Sequence, residues 1–213
     1  MARESERLSL QGAAGRIEAV VDRPALAEGA APRGVALVAH PHPLYGGALD
    51  NKVAQTLARA FNELGYVSVR PNFRGVGASE GVHDHGQGET DDLVEVAQWA
   101  LHEFGQPKIA LAGFSFGAFV QTRVAARVST ERLVLVGIPN GLIEGSRSYQ
   151  PEPVPADTIV IHGELDETVP LARVFDWARP QELPVVVVPG ADHFFHRRLH
   201  IIRAIVHGHW HAA

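Results

Sequence analysis

Short runs of consecutive, mostly apolar residues punctuate the chain: Val35 to Ala39, Tyr66 to Val69, Lys108 to Ala112, Leu133 to Val136, Thr158 to Ile161 and Val185 to Val188. Gly, Pro, Asn or His stands at or just beyond the end of each. A strand with one wet face alternates apolar and polar side chains. Runs without that alternation suit strands covered on both faces, as in a parallel sheet between layers of helices. Between the runs the period lengthens. From Asp50 to Leu64, apolar residues fall at Val53, Leu57, Phe61 and Leu64, and from Asp91 to Phe104 at Leu93, Val96, Ala97, Ala100, Leu101 and Phe104. Both patterns predict amphipathic helices.

The expected helix ends follow from local chemistry. Thr90, Asp91 and Asp92 supply capping and acidic groups for the start of the second helix. Gly65 and Gly105 stand where the two helices should stop. Further helices are predicted from Phe116, from near Pro170, and from about Phe195 to Val206. Strands alternating with helices imply right-handed crossovers and a mostly parallel α/β sheet of about 7–8 strands with helices on both faces. The opening segment, Leu8 to Asp22, has no helix after it and reads as an antiparallel hairpin on the sheet edge. Pro139 to Asp157 is rich in Pro and Gly and reads as an irregular loop, leaving no material for a substantial cap.

Bulk properties narrow the function classes. The 213 residues suit a single domain spanning 1–213. A composition of 46% hydrophobic and 20% charged residues is ordinary for a globular protein. The formal net charge of -5 argues against nucleic acid or an anionic membrane as partner. The absence of cysteine removes disulfides, thiolate metal sites and a cysteine nucleophile. The first ten residues lack the apolar core of a signal peptide, and no apolar run reaches the roughly 18 residues of a membrane span. A cytoplasmic protein is therefore expected, as monomer or homodimer, with no cofactor.

The strongest chemical signal is Gly113-Phe114-Ser115-Phe116-Gly117. It directly follows a strand run and precedes a helical one, the setting of a nucleophile elbow. Serine needs a base. After the run ending at Ile161 comes His162-Gly163-Glu164-Leu165-Asp166-Glu167-Thr168-Val169-Pro170, and after Val188 comes Pro189-Gly190-Ala191-Asp192-His193-Phe194-Phe195. An acid after one strand and a histidine after the next give the order Ser, acid, His of an α/β-hydrolase, all at one sheet edge. His193 is the expected base. Glu164, Asp166, Glu167 and Asp192 compete as the acid. Asp166 is preferred for its spacing before Pro170, with Glu164 next, while Asp192 is adjacent to His193 and an awkward partner for its ring.

His40-Pro41-His42-Pro43-Leu44-Tyr45-Gly46-Gly47 follows the first buried run, where such a fold takes its second oxyanion donor. Prolines lack an N–H. His42 is thus the expected donor beside Phe116, with Leu44 or Tyr45 as fallbacks. Metal binding by His40 and His42, or by His207, His209 and His211, is the disfavoured alternative, because no carboxylate or cysteine pattern supports it. The His83-x-His85 pair reads as an ordinary loop feature. Gly75 and Gly77 sit in a tight strand-exit loop without dinucleotide-binding spacing. Arg74 reads as a loop tie ahead of a carboxylate binder. Leu44, Tyr45 and Phe194 are expected to touch substrate.

Together the stretches HPHPLYGGALDNKV, RPNFRGVGASEG, GFSFGAF, HGELDETVP and GADHFFHRRL resemble small bacterial α/β-hydrolases, distantly similar to dienelactone hydrolases. The resemblance runs from residue 40 to 200. It implies the α/β-hydrolase fold, with Ser115 as nucleophile, Asp166 as acid and His193 as base. Dienelactone hydrolases proper use a cysteine nucleophile, which this chain lacks. The expected activity is serine hydrolysis of a small-molecule ester with short or exposed acyl groups. Thioesterase, peptidase or perhydrolase chemistry, or a catalytically silent binding protein, are the alternatives on the same fold.

Overall fold

The protein is described here by a computed structural model covering residues 4–143 and 147–210. The elements are β1 (Glu4–Gly12), β2 (Gly15–Arg23), β3 (Gly34–Ala39), α1 (Lys52–Glu63), β4 (Tyr66–Pro71), α2 (Gln87–Glu103), β5 (Ile109–Phe114), α3 (Phe116–Ala125), β6 (Thr130–Val136), β7 (Gly141–Ile143), β8 (Arg147–Tyr149), β9 (Ile159–Gly163), α4 (Leu171–Ala178), β10 (Val185–Val188) and α5 (Leu199–Trp210).

Eight strands form one sheet in the order β1-β2-β4-β3-β5-β6-β9-β10. From β4 to β10 every neighbouring pair is parallel, and β1–β2 is the expected antiparallel hairpin, joined antiparallel to β4. The two faces of β3 show why its run does not alternate. Val35, Leu37 and Ala39 pack with residues of α2 and α3, whereas Ala36 and Val38 pack with residues of α1 and α5. Both faces are dry, so both parities are apolar. Among the described residues no helix is long and apolar enough to cross a membrane.

Three boundaries differ from expectation. Helix α2 starts at Gln87, four residues before Asp91. Its cap is Gly86 at φ 95°, and the fully buried Glu89 carboxylate accepts from the N–H groups of Gly86 (2.8 Å) and Asp84 (2.9 Å). Asp92 therefore lies inside the helix and is turned inward, where it takes Arg74 Nε at 2.8 Å and the Ala14 N–H at 3.2 Å. Helix α5 starts at Leu199 because Phe195 (φ 53°) and Arg197 (φ 61°) adopt left-handed backbone that no helix continues through. In the expected irregular loop, β7 and β8 pair as a two-stranded antiparallel ribbon. Its Ile143 and Tyr149 are buried while Leu142 is exposed, an alternation too short to stand out in the sequence.

The edge hairpin is locked to β4 by charge. Arg70 Nε and Nη2 lie 3.1 and 3.0 Å from Asp22 Oδ2, both residues are buried, and Arg70 Nη1 donates to the Leu49 carbonyl at 2.6 Å. The Leu49 N–H in turn donates to Asn72 Oδ1 at 2.8 Å. The loop that leaves β3 is thus fastened to the end of β4. Replacing Asp22 by Asn leaves the buried Arg70 charge with only the exposed carboxylate of Asp50, 3.8 Å from its Nη1. A loss of about 3 kcal/mol of unfolding free energy is expected, read as a lower urea midpoint at unchanged slope. A loss below about 1 kcal/mol would show that the ion pair does not hold this corner.

Candidate active site

Strand β5 ends at Phe114 and α3 begins at Phe116, so one residue makes the turn. That residue, Ser115, sits at φ 54°, ψ -120°, a conformation that costs a non-glycine residue about 1–3 kcal/mol. Its N–H donates to the Val136 carbonyl at 2.8 Å, and its carbonyl accepts from Ala118 at 2.9 Å and Phe119 at 3.2 Å. The flanking glycines are demanded by contact. A Cβ on Gly113 would lie 2.4 Å from the Gly117 carbonyl carbon, and one on Gly117 would lie 2.5 Å from the carbonyl oxygens of both Ala39 and His40. Helix and strands approach at backbone distance, and the serine is pushed out at the sheet edge.

His193 arrives from the loop after β10 and Asp166 from the loop after β9. His193 Nε2 lies 3.0 Å from Ser115 Oγ, and its Nδ1 lies 2.7 Å from Asp166 Oδ2. With Nδ1–H donated to the carboxylate, the Nε2 lone pair faces the hydroxyl. The imidazole rests on the Phe114 ring (centroids 4.9 Å apart) and beside Phe194 (5.2 Å). Gly137, at φ 58°, passes so close that a Cβ there would stand 3.4 Å from the imidazole. Asp166 is buried and its Oδ1 accepts the Val169 N–H at 2.7 Å. Beneath it lies His162, wholly buried, whose Nε2 donates to the Val169 carbonyl at 2.9 Å and lies 3.5 Å from Asp166 Oδ2. Burial pushes the His162 pKa down, outweighing the carboxylate that would raise it.

Two of the other acids are occupied elsewhere and the third faces solvent. Glu164 is exposed and accepts the Gly190 N–H at 2.7 Å. Asp192 holds His196, by its Nδ1 at 2.6 Å and its N–H at 3.0 Å. Glu167 is exposed.

Phe116 is the first residue of α3, so its N–H has no carbonyl one turn back within the helix. In the loop after β3, the Leu44 N–H donates to His42 Nδ1 at 3.3 Å and the Tyr45 N–H to the His42 carbonyl at 3.1 Å. Both fallback donors are therefore spent inside the loop. None of the hydrogen bonds among the described residues uses the His42 N–H. His40 is a strut: its Nδ1 lies 2.7 Å from the Pro41 carbonyl, its Nε2 accepts the Phe73 N–H at 2.9 Å, and burial pushes its pKa down to about 4. Both ring nitrogens are engaged, which leaves none for a metal. Among the described residues no group of three His, Cys, Asp or Glu side chains could hold a metal ion. His207 contacts Glu63 and the Ala60 carbonyl, His209 bonds the Ile205 carbonyl, and His211 lies outside the described residues. Arg74 ties loop to helix through Asp92 and the Gly88 carbonyl.

Ser115 and His193 open into a cleft of about 290 Å³ whose walls include His42, Tyr45, Asn51, Arg147, Thr168 and Phe194. Tyr45 and Phe194, two of the three residues expected to touch substrate, line this cleft. Leu44 does not line the cleft: it is 68% exposed, because the 3₁₀ turn at Pro43–Tyr45 carries its side chain away. Arg147, on β8, was missed by sequence reasoning. It lies in the segment read as irregular, and only the alternation around Tyr149 could have signalled it.

The family model for X-Pro dipeptidyl-peptidase (S15 family) matches residues 13–138, more than half of the chain, and so includes Ser115 but stops before Asp166 and His193. An uncharacterized protein of Rickettsia prowazekii (strain Madrid E) is 32% identical over 170 residues, 76% of this chain and 71% of that protein. Among solved structures, an α/β serine hydrolase without lid from Xanthomonas campestris is 41% identical with a TM-score of 0.84, over 98% of this chain and 94% of its own. An α/β serine hydrolase homologue from Coxiella burnetii is 40% identical with a TM-score of 0.81, over 95% of this chain and 96% of its own.

The close approach at the turn is directly testable. Gly117→Ala is expected to lose about 1–3 kcal/mol of stability, since backbone carbonyls cannot yield to the methyl group. Gly208→Ala, in α5 with nothing within 4 Å of the new Cβ, should instead gain about 0.5–1 kcal/mol from helix propensity. Denaturant curves of the two variants that shift alike would refute the contact argument.

Proposed function

The chain belongs to the S15 family, within the α/β serine hydrolases, and from that premise we propose that it cleaves carboxylic esters through an acyl-enzyme on Ser115, with His193 as base and Asp166 as orienting acid. The observation that carries this reading is the unbroken line of hydrogen bonds from Ser115 Oγ through His193 to the buried Asp166. In the proposed cycle His193 Nε2 takes the hydroxyl proton as Oγ bonds to the ester carbonyl carbon. Asp166 holds the imidazole tautomer and stabilises the imidazolium. The same proton passes to the leaving alkoxide as the ester C–O bond breaks. Water then attacks the acyl-enzyme, giving a proton to His193, and as the bond from the carbonyl carbon to Ser115 Oγ breaks His193 passes that proton to Oγ and the carboxylic acid departs. The Phe116 and His42 N–H groups are the proposed oxyanion donors, and the positive end of α3 adds to their field. Tyr45 and Phe194 form the apolar walls.

Peptidase chemistry is the second reading, favoured by the family model's own description. A dipeptidyl-peptidase has to hold the α-ammonium group of its substrate, which calls for a carboxylate in the site. Among the described residues lining the cleft there is no Asp or Glu. An uncharged ester makes no such demand.

A fluorophosphonate probe should label the native protein and fail on Ser115→Ala; equal labelling of the two would end the serine hydrolase mechanism. With nitrophenyl acetate, Asp166→Asn should lower kcat about 10³–10⁴-fold. Glu164→Gln and Asp192→Asn should stay within a few-fold of the native enzyme, and a reversed order would reassign the acid. Faster turnover of an Xaa-Pro nitroanilide than of the nitrophenyl ester would favour the peptidase reading instead.

A further inference from the structure

Asn51 ends the loop that follows β3 and stands immediately before α1. Most of its hydrogen-bonding groups are spent there. Its N–H donates to the Ala48 carbonyl at 2.9 Å, and its carbonyl accepts the Gln55 N–H at 2.8 Å. Its side-chain Oδ1 accepts the N–H groups of Val53 at 2.9 Å and Ala54 at 3.3 Å. Donors aimed together at one amide atom require that atom to be the oxygen, so chemistry settles the orientation of this amide. What remains is the Nδ2 amino group. None of the hydrogen bonds among the described residues uses it. Asn51 is at the same time a wall of the cleft of about 290 Å³ into which Ser115 and His193 open. An asparagine amide ordinarily offers donor and acceptor alike. With its oxygen held by the helix, this one offers the cleft donors only.

We propose that Asn51 is a specificity-determining residue whose Nδ2 donates to an ether or carbonyl oxygen of the substrate, so that the favoured esters carry an acceptor oxygen a few bonds from the scissile carbonyl. The inference rests on ester hydrolysis at Ser115 and names its substrate class. In a cleft this small, the atoms within a few bonds of the reacting carbonyl are the ones that reach Asn51. The amide is pinned by backbone N–H groups before substrate arrives, so little rotamer freedom is lost on binding. A methylene in place of the oxygen would take water from Nδ2 and return no acceptor, and a donor left without a partner costs more than the bond it forgoes. The double use of the side chain also accounts for the residue type. Ser, Thr and Asp cap a helix about as well as Asn does, but none of them presents an amino group.

Isosteric ester pairs test the inference: nitrophenyl methoxyacetate against nitrophenyl butanoate on the acyl side, and 2-methoxyethyl butanoate against butyl butanoate on the alcohol side. An ether oxygen also activates an ester chemically, so each ratio of kcat/KM is divided by the same ratio for hydrolysis by hydroxide. For the native protein, at least one normalised ratio is expected to favour the ether by about 3–10-fold. Asn51→Asp and Asn51→Ser both keep an oxygen for the Val53 and Ala54 N–H groups and lose the amino group. In both, that ratio should fall to about one or below while the urea midpoint stays near the native value. A residue that only caps the helix would leave the ratio unchanged in both variants, and that result would overturn the assignment. Native ratios near one in both pairs would overturn it as well. Should the shorter serine lower the midpoint, the isosteric Asn51→Asp decides alone. Labelling of Ser115 by a fluorophosphonate separates the two ideas. Absence of labelling in the native protein would remove the hydrolase reading. Intact labelling with an unmoved ratio would remove the role of Asn51 alone.

Discussion

Everything at the sheet edge depends on how closely α3 can approach β3. Gly117 lies against the carbonyl oxygens of Ala39 and His40, at a distance no Cβ could occupy. That contact does two things. It forces the chain to reverse within one residue, which holds Ser115 at φ 54° with its side chain projecting from the edge. It also sets the N-terminus of α3 beside the loop leaving β3, so that the Phe116 N–H and the His42 N–H arrive from two elements that share one backbone contact. The strain at Ser115, about 1–3 kcal/mol, is sustained by the three backbone hydrogen bonds to that residue and by the packing of Phe116, which is buried among Phe73, Phe119 and Tyr149.

Buried neutral imidazoles supply the next layer of rigidity. His40 bridges the loop after β3 to the loop after β4, using one nitrogen as donor and the other as acceptor. His162 braces the Asp166 turn by holding the Val169 carbonyl, while the Val169 N–H holds the carboxylate itself. In both histidines burial holds the pKa below its ordinary value, and a neutral ring with one donor and one acceptor serves as a strut without the cost of a buried charge. Arg70 and Asn72 fasten the far end of the first loop at Leu49. The histidines that looked alike in the sequence thus divide by burial: struts inside, His193 at the edge, and His196, His200 and His209 on the surface.

The sheet was legible because doubly covered strands cannot hide: six apolar runs became six of its strands, and the seventh and eighth followed from a segment with no helix after it. The turn at Ser115 was legible because two glycines and a serine stood between a strand and a helix. Asp166 could be preferred by spacing, but only the fold shows Glu164 and Asp192 bonded elsewhere. What misled was chemistry that leaves no local trace. Gly86 caps α2 without a side chain, so the sequence shows its start only as the acidic cluster at Thr90 to Asp92, whereas Asp92 is a buried partner of Arg74. Leu44 looked like a substrate contact by adjacency, yet a 3₁₀ turn carries it outward. The ribbon of β7 and β8 gives three residues per strand, too few for a period to emerge.

That ribbon is where the fold departs most from its plainest form. It interrupts the path from β6 to β9 with a short hairpin in place of a cap, and it buries Tyr149 against Phe116 and Phe119. By anchoring there, it fixes Arg147 two residues earlier against Tyr45, across from the serine. A cleft without a cap cannot select substrate by enclosing it, because little of the ligand is taken out of water. Selection then falls to the few directional groups on its walls. Here those include two aromatic rings, backbone N–H groups, the Asn51 amide and one guanidinium. Discrimination by chain length is correspondingly weak at such a site, since one methylene is worth only about 1–3 kcal/mol even in an enclosing apolar pocket.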